Sequence, residues 1–196
     1  MGWKCKRTIR RYRFVSSSNK IDGTIVGRLE PVAVKATGAL SGKTITTVAA
    51  GNTNTIALAS TGQVYSWGYR LNGVIGNGVG GTGNDLEPIA VKVTGALAGK
   101  TITAIALSSN HVLALASTGQ VYSWGDNGYG QIGDATSGNT RLEPVAIKTS
   151  GVLNGKRIVS IAAGFDHSLV LDSTGRLYSF GANSNGQIGG MVSTRN

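Results

Sequence analysis

Few side chains in this sequence have the type and spacing that catalysis or metal binding requires. The chain has two histidines, His111 and His167, and Ser168 directly follows the second. An imidazole can act as a general base for a serine hydroxyl or as a metal ligand. The two histidines lack the i, i+4 spacing of a helical zinc site, and no nucleophile-elbow sequence surrounds the serine. We therefore expect imidazoles that bond to neighbouring loops, and we predict no catalytic residue.

The acidic residues and the glycine-rich segments do not predict a ligand site either. Asp126 and Asp134 flank a glycine-rich turn, but they lack the dense acidic spacing of a calcium loop. Residues 76–83 are rich in glycine, and the Gly-Lys-Thr tripeptides at 42–44 and 99–101 end like a phosphate-binding loop. None of these segments has the full glycine spacing or leads into a predicted helix. The sequence therefore predicts no metal site and no cofactor site.

An internal repeat sets the positions of these residues. The motif Leu-Glu-Pro-X-Ala-X-Lys, in which X is Val or Ile, occurs at residues 29–35, 86–92 and 142–148. A second motif, Tyr-Ser-Trp/Phe-Gly, occurs with the same period at residues 65–68, 122–125 and 178–181. Because two motifs stay in phase through three copies, the chain is predicted to consist of three structural repeats.

Each repeat contains several short strand patterns. In the second repeat, residues 101–107 are β-branched and apolar, residues 112–116 are apolar, and residues 121–124 follow a Ser-Thr-Gly turn. Residues 88–93 are a further strand candidate that begins at a proline, where the missing N–H is tolerated. Four short strands in each unit predict an all-β protein made of propeller blades, with a stacked β-solenoid as the structural alternative.

Side chains that recur at one repeat position are predicted to be structural, because the packing of every repeat requires them. His111 and His167 share one such position. A second position holds an aromatic residue that we expect in the core: Trp67, Trp124 and Phe180. A third holds a glutamate that we expect on a blade surface or between blades: Glu30, Glu87 and Glu143.

The second and third repeats resemble the regulator of chromosome condensation repeat. In the third, the resemblance rests on Ala-Ala-Gly-Phe-Asp-His-Ser-Leu-Val-Leu at 162–171, Tyr-Ser-Phe-Gly-Ala-Asn at 178–183 and Gly-Gln-Ile-Gly at 186–189. The first repeat departs from the pattern, with Asn54 at the histidine position and a different loop at 69–76. The resemblance covers about residues 29–190 and implies the seven-bladed propeller fold of that family.

The number of repeats is smaller than a closed propeller needs. The predicted organisation is a basic N-terminal segment at 1–28, three repeats at about 29–85, 86–141 and 142–190, and a C-terminal tail at 191–196. Closed propellers usually have four to eight blades. About three four-stranded blades therefore imply an incomplete propeller or one closed by a homo-oligomer. A fragment, a truncated family member and a self-associating subunit all remain open.

The N-terminal segment is strongly basic. The formal net charge of the chain is +10, and residues 1–30 carry eight lysines and arginines against two acids. Six of these cations fall within ten residues: Lys4, Lys6, Arg7, Arg10, Arg11 and Arg13. Such a cluster attracts acidic partners or nucleic acid. A nuclear localisation signal, an organelle transit peptide and a solvated tail are the alternatives.

Three functions are consistent with these patterns. The favoured one is a non-enzymatic protein-interaction scaffold, because propellers present variable loops on a rigid frame. The resemblance implies a second, guanine-nucleotide exchange on a small Ras-like GTPase, although no insertion resembles the wedge that displaces nucleotide. The third is binding of chromatin or nucleic acid through the basic N-terminus. With one cysteine and no apolar run of membrane-spanning length, an intracellular protein of the cytoplasm or nucleus is expected, without membrane partners.

Overall fold

The computed structural model describes residues 30–190, Arg28, and the backbone of strands β1 (Lys20–Ile21) and β2 (Thr24–Ile25). The chain divides into two units, residues 1–34 and residues 35–196. In the first unit, β1 and β2 pair antiparallel. The cationic cluster at residues 4–13 and the tail at 191–196 lie outside the described residues.

The second unit consists of three antiparallel sheets, which we call the first, second and third blades. The first blade contains β3 (Ile45–Ala50), β4 (Asn54–Ala59), β5 (Val64–Tyr69) and β6 (Asn84–Ala90). The second contains β7 (Ile102–Leu107), β8 (His111–Ala116), β9 (Val121–Gly125) and β10 (Arg141–Ala146). The third contains β11 (Ile158–Ala163), β12 (His167–Asp172) and β13 (Leu177–Gly181). Strands that are consecutive in sequence are hydrogen-bonded neighbours within each blade, which confirms the predicted all-β propeller blades.

The helical segments of the described residues are short. They are four 3-10 helices: Gly38–Leu40, Leu71–Gly73, Gly95–Leu97 and Gly151–Leu153. Three of them lie just before the first strand of a blade, and each buries its leucine. In the described part of the chain, no helix has the length and apolar character needed to cross a membrane.

The strand that carries the Leu-Glu-Pro motif completes the blade that precedes it. In β6, Ala90 lies opposite Tyr65 of β5, and in β10, Ala146 lies opposite Tyr122 of β9. The repeat boundaries predicted from the sequence place residues 88–93 with the strands that follow them, whereas the hydrogen bonds of β6 place this strand with the strands that precede it. Periodicity does not reveal this phase, because a repeat can be divided at any residue without a change in its period. The third blade accordingly has three strands, not four, within residues 30–190.

The apolar core lies between the facing sheets of neighbouring blades. One cluster of buried side chains joins the first blade to the second and includes Ile56, Val64, Ile75 and Trp124. Another joins the second blade to the third and includes Leu113, Val121, Ile158 and Val170. β8 is buried along its whole length because it is a middle strand with a blade on each side. Each fully buried Val or Leu side chain stabilises the fold by roughly 1.5–3 kcal/mol.

Candidate interaction surface

Each contact between neighbouring blades contains an aromatic ring packed on a glycine. The indole N–H of Trp124 donates to the carbonyl oxygen of Val74 at 3.0 Å. A Cβ atom added to Gly76 would lie 2.5 Å from the indole nitrogen, so no larger residue fits there. Phe180 packs in the same way on Gly133, where an added Cβ would lie 2.6 Å from the ring. The repeated aromatic position thus contributes to the packing between blades.

His111 is fully buried, and its imidazole joins two blades. Its Nδ1 lies 2.8 Å from the hydroxyl oxygen of Ser108, and its Nε2 lies 2.8 Å from that of Ser168 in the third blade. The Ser168 hydroxyl also lies 2.8 Å from the carbonyl oxygen of Gln131, and the Ser108 hydroxyl lies 3.0 Å from the carbonyl oxygen of His111, so each serine has a backbone acceptor beside the imidazole. Burial, with a smaller effect of His167, lowers the pKa of His111 to about 4. The imidazole is therefore neutral at physiological pH and out of reach of a substrate.

The acidic residues considered as a cation site are held by other groups. Asp134 accepts hydrogen bonds from the hydroxyl of Thr136 and from the guanidinium of Arg141, each at 2.6 Å. Burial alone would raise the pKa of Asp134, but the hydrogen bonds from Thr136 and Arg141 outweigh it and the pKa is lowered. Among residues 30–190 and the other described positions, no group of three or more His, Cys, Asp or Glu side chains is arranged to hold a metal ion.

One end of the blades, which we call the turn face, carries the β4–β5, β8–β9 and β12–β13 turns and the starts of β3, β7 and β11. Antiparallel connections alternate between the two ends of a sheet, so these segments share one end. Backbone hydrogen bonds join neighbouring blades there: Ile102 N–H donates to Gly62 O at 3.2 Å, and Ile158 N–H donates to Gly119 O at 3.1 Å. The turn face is therefore continuous across all three blades.

The turn face is cationic. Five exposed cations lie on it: Lys43, Lys100, Lys156, Arg157 and Arg176. Of the described acids, Asp172 is the one on this face, and it is buried. Its carboxylate accepts bonds from the Thr174 hydroxyl and the Tyr178 hydroxyl, so it is not aimed at solvent.

The opposite end of the blades, the loop face, has the opposite charge. Its arginines are paired, Arg70 with Asp85 and Arg141 with Asp134. Two further acids, Asp126 and Asp166, lie close enough that burial and the charge of Asp126 together raise the pKa of Asp166. Positive and negative charge are thus separated onto two ends of the same blades.

Two equivalent grooves open on the turn face between neighbouring blades. The groove between the first and second blades has a volume of about 340 Å³ and the other a volume of about 290 Å³. The first is lined by Gly62, Gln63, Val64, Val91, Leu97 and Lys100, among others. The second is lined by the equivalent Gly119, Gln120, Val121, Ile147, Leu153 and Lys156. Each groove therefore combines apolar side chains, a glycine turn and one lysine.

This surface is not among the sites predicted from the sequence, where the Gly-Lys-Thr tripeptides at 42–44 and 99–101 are compared with phosphate-binding loops alone. The pattern that would have found the surface is the recurrence of Gly-Lys at the same repeat position a third time, at residues 155–156.

Comparison with known proteins is consistent with this architecture. A model of the regulator of chromosome condensation (RCC1) repeat matches residues 45–73, 102–131 and 158–187, and a second model of that repeat matches residues 118–171. Together they cover more than half of the chain. The chain belongs to the regulator of chromosome condensation repeat family. The resemblance predicted from the repeat motifs is confirmed.

This RCC1-type chain is 34% identical over 137 residues to the protein RCC2 homolog of Danio rerio and 32% identical over 155 residues to protein RCC2 of Homo sapiens. These alignments cover 69% and 78% of the chain but 26% and 28% of those proteins, so the chain spans about a quarter of their length. The crystal structure of Kap60 bound to yeast RCC1 (Prp20) matches with a TM-score of 0.63 and 29% identity, over 77% of this chain and 35% of that chain. These relationships support a repeat-based interaction scaffold in general.

Proposed function

We propose that this chain is a non-enzymatic protein-interaction module whose turn face binds an acidic segment of a partner protein. The observation that carries the proposal is the pairing of five exposed cations with two equivalent grooves on one end of the blades. Complementary charge accelerates encounter and selects the partner, while apolar side chains buried in the grooves supply affinity.

The two grooves define what the partner segment has to provide. Lys100 and Lys156 occupy the same position in successive grooves, so an extended segment that crosses both would place one acidic residue near each lysine. Apolar side chains of the segment would enter the grooves against Leu97 and Leu153. An exposed ion pair contributes about 0.2–1 kcal/mol, so several pairs and two filled grooves are needed for useful affinity.

The lining of the grooves favours a protein over nucleic acid. Single-stranded nucleic acid is bound by aromatic side chains on which bases stack, together with a basic groove. The residues that line the two grooves are Thr, Gly, Gln, Val, Ile, Leu and Lys, with no aromatic residue among those described. Leu and Val suit the apolar side chains of an acidic peptide. The relative bound to Kap60 gives a precedent in the family for a protein partner.

The non-enzymatic part of the proposal rests on how the polar side chains are used. His111 and Ser168 are buried and bonded to each other between two blades, so neither is presented to a substrate. Asp134 and Asp172 are likewise engaged by neighbouring hydroxyl and backbone groups. A binding surface therefore accounts for more of the exposed residues than a reaction centre does.

The proposal is tested by fluorescence anisotropy with a labelled peptide that alternates acidic and leucine residues. The triple variant Lys43→Gln, Lys100→Gln, Lys156→Gln is expected to bind about 3- to 150-fold more weakly, which is about 0.6–3 kcal/mol for three exposed pairs. The matched control Lys4→Gln, Lys6→Gln, Arg7→Gln removes the same charge from the N-terminal cluster and is expected to bind nearly as the wild type does. A larger loss in the control would assign the binding to the N-terminal segment and contradict the proposal.

A further inference from the structure

We propose that the second groove of the turn face, between the second and third blades, binds a phosphorylated serine or threonine of the partner segment. This inference rests on the proposed function and deepens it, because it names the acidic group that one of the two grooves takes. It is carried by Lys156 and Arg157, two adjacent exposed cations at a place where the first groove has one.

The two grooves differ in charge at one position of the repeat. Lys100 of the first groove is followed by Thr101, whereas Lys156 of the second is followed by Arg157. Thr44 stands at the same position of the first blade, so the arginine is the departure from the repeat. The packing that the blades share does not require an arginine there, which makes its side chain a candidate for binding.

The side chain of Arg157 reaches across the joint to the wall of the second groove. Its Cγ lies 2.6 Å from the position that a Cβ on Gly119 would occupy, so it packs against a glycine that lines the groove. Its Nη2 donates to the carbonyl oxygen of Ser117 at 3.3 Å. A guanidinium has five N–H donors, so this bond positions the group and leaves other donors for a ligand. The guanidinium is thus held beside the groove that Lys156 lines.

Neither cation of the second groove is paired with a carboxylate of the described residues. The ion pairs among residues 30–190 involve other side chains: Lys35 with Glu87, Arg70 with Asp85, Lys92 with Glu143, and Arg141 with Asp134. Asp172, the acid of the turn face, is buried in the next turn, where Arg176 lies close to the Tyr178 hydroxyl that bonds to it. The second groove therefore presents two positive charges to a ligand, and the first groove presents one.

The charge of the second groove matches that of a phosphate monoester. A phosphorylated serine or threonine carries about −1.5 to −2 at pH 7, whereas a carboxylate, or one phosphate of a nucleic acid, carries about −1. Arginine adds geometry to this match, because its planar fork can donate two parallel hydrogen bonds to phosphate oxygens. The first groove, with Lys100 alone, suits a carboxylate of the same segment.

The surroundings of the two cations favour a peptide as the carrier of the phosphoryl group. The second groove, about 290 Å³ in volume, is also lined by Val121, Ile147 and Leu153, which suit an apolar side chain next to the phosphorylated residue. A lipid headgroup or a nucleic acid would place inositol or sugar hydroxyls against these apolar side chains instead. Recognition of a phosphorylated segment by clustered basic side chains is a recurring mode of peptide binding.

The first test compares labelled peptides that differ in one residue, by fluorescence anisotropy with the full chain. The parent peptide alternates glutamate and leucine, and in a set of variants each glutamate in turn is replaced by phosphoserine. We expect at least one phosphoserine peptide to bind about 10-fold more tightly than the parent, the effect of one charge-assisted hydrogen bond. Equal binding of the parent and every phosphoserine peptide would overturn this inference and leave the acidic partner in place. Binding of no peptide would overturn the proposed function and this inference with it.

Substitutions taken from the repeat test the role of Arg157. Arg157→Thr introduces the residue of the second blade and is expected to abolish the preference for phosphoserine. The parent peptide is expected to bind at most about 5-fold more weakly to it, since one exposed pair is lost. Arg176→Gln removes the same charge from the neighbouring turn and is expected to keep the preference. A preference that survives Arg157→Thr, or that Arg176→Gln abolishes equally, would overturn the proposed site.

The repeat also allows a gain of function. Thr101→Arg places a second cation beside the first groove, where the threonine packs on Gly62 as Arg157 packs on Gly119. This variant is expected to prefer phosphoserine at a second position of the peptide. A Thr101→Arg variant with the peptide preferences of the wild type would contradict the charge match on which the inference rests.

A phosphorylated lipid is the other source of the same chemical group. Sedimentation with phosphatidylcholine vesicles that contain a phosphatidylinositol monophosphate is expected to show equal, weak binding of the wild type and of Arg157→Thr. Vesicle binding that depends on Arg157, without any preference among the peptides, would assign the groove to a lipid headgroup and overturn the proposal.

Discussion

The Nε2 atom of His111 in the second blade lies 2.8 Å from the hydroxyl oxygen of Ser168 in the third blade. Both residues are buried, and the serine hydroxyl also lies 2.8 Å from the carbonyl oxygen of Gln131. The contact is specific to this joint, because Val112 and Thr55 occupy the serine's position in the other two repeats. Ser168, which directly follows His167 in the sequence, therefore links two blades through its contact with His111.

This link makes stability depend on pH. The pKa of His111 is lowered to about 4 in the folded chain by burial and by His167, while an unfolded histidine titrates near 6.5. The unfolded chain therefore binds the proton more readily. The contribution of His111 is complete above about pH 6.5 and is lost as the pH falls towards 4, by roughly 3 kcal/mol in total.

The measurement is urea denaturation at intervals between pH 7 and pH 4.5, on the wild type and on His111→Asn. Asparagine occupies the equivalent position 54 in the first blade, so this variant is expected to fold. We expect it to be less stable than the wild type at pH 7 and to lose less stability on acidification. If the stability of the wild type and that of His111→Asn fell in parallel with pH, the lowered pKa of His111 would be contradicted.

Gly76 is required at the joint between the first and second blades. Its φ is +74°, and an added Cβ would lie 2.5 Å from the Trp124 indole nitrogen. Gly95 has a φ of +77° but nothing within 4 Å of an added Cβ, so Gly95→Ala is a matched control for backbone strain alone. We expect Gly95→Ala to cost about 1 kcal/mol and Gly76→Ala about 1–3 kcal/mol more, by urea denaturation. Equal costs would contradict the close packing of Trp124.

In the third blade, Asp172 accepts the tyrosine hydrogen bond that a glutamine accepts in the other two blades. The hydroxyls of Tyr65 and Tyr122 donate to Gln63 and Gln120, whereas that of Tyr178 donates to Asp172. We expect Asp172→Ala to lower the melting temperature, because the Tyr178 hydroxyl and the backbone N–H of Thr174 lose their acceptor.

A second substitution tests this explanation. Position 176 holds arginine where the other blades have glutamine, so Asp172→Ala with Arg176→Gln recreates their arrangement. Thermal unfolding followed by circular dichroism should show partial recovery of the melting temperature in the double variant. If the two substitutions lowered the melting temperature additively, glutamine at position 176 would not be replacing Asp172 as the acceptor of the Tyr178 hydroxyl.

The strands could be predicted from the sequence because the pattern of each strand recurs from one repeat to the next. The interval 101–107 corresponds closely to β7, Ile102–Leu107, since β-branched residues and flanking turns mark it. The blade to which residues 88–93 belong could not be predicted, because sequence order does not say which neighbour a strand pairs with. Pairing is decided by the twist and packing of the blade as a whole.

The candidate site was less accessible from the sequence. Lys43, Lys100 and Lys156 are far apart along the chain, and they lie at one end of the blades because each precedes the first strand of its blade. The contact between His111 and Ser168 could not be predicted either. A repeat identifies the residues that all blades share, whereas this contact occurs between one pair of blades. Resemblance to the family predicted the frame, whereas the motifs that carry the resemblance do not include Lys43, Lys100 or Lys156.

The central claim, that the turn face is the binding surface, is tested most directly by mapping amide NMR shifts when an acidic, leucine-containing peptide is added to the full chain. The account predicts that the shifts concentrate at the turns 60–63 and 117–120 and at segments 95–101 and 151–157, which border the two grooves. Shifts confined to the loop-face segment 126–140, or to the basic residues 4–13, would contradict it.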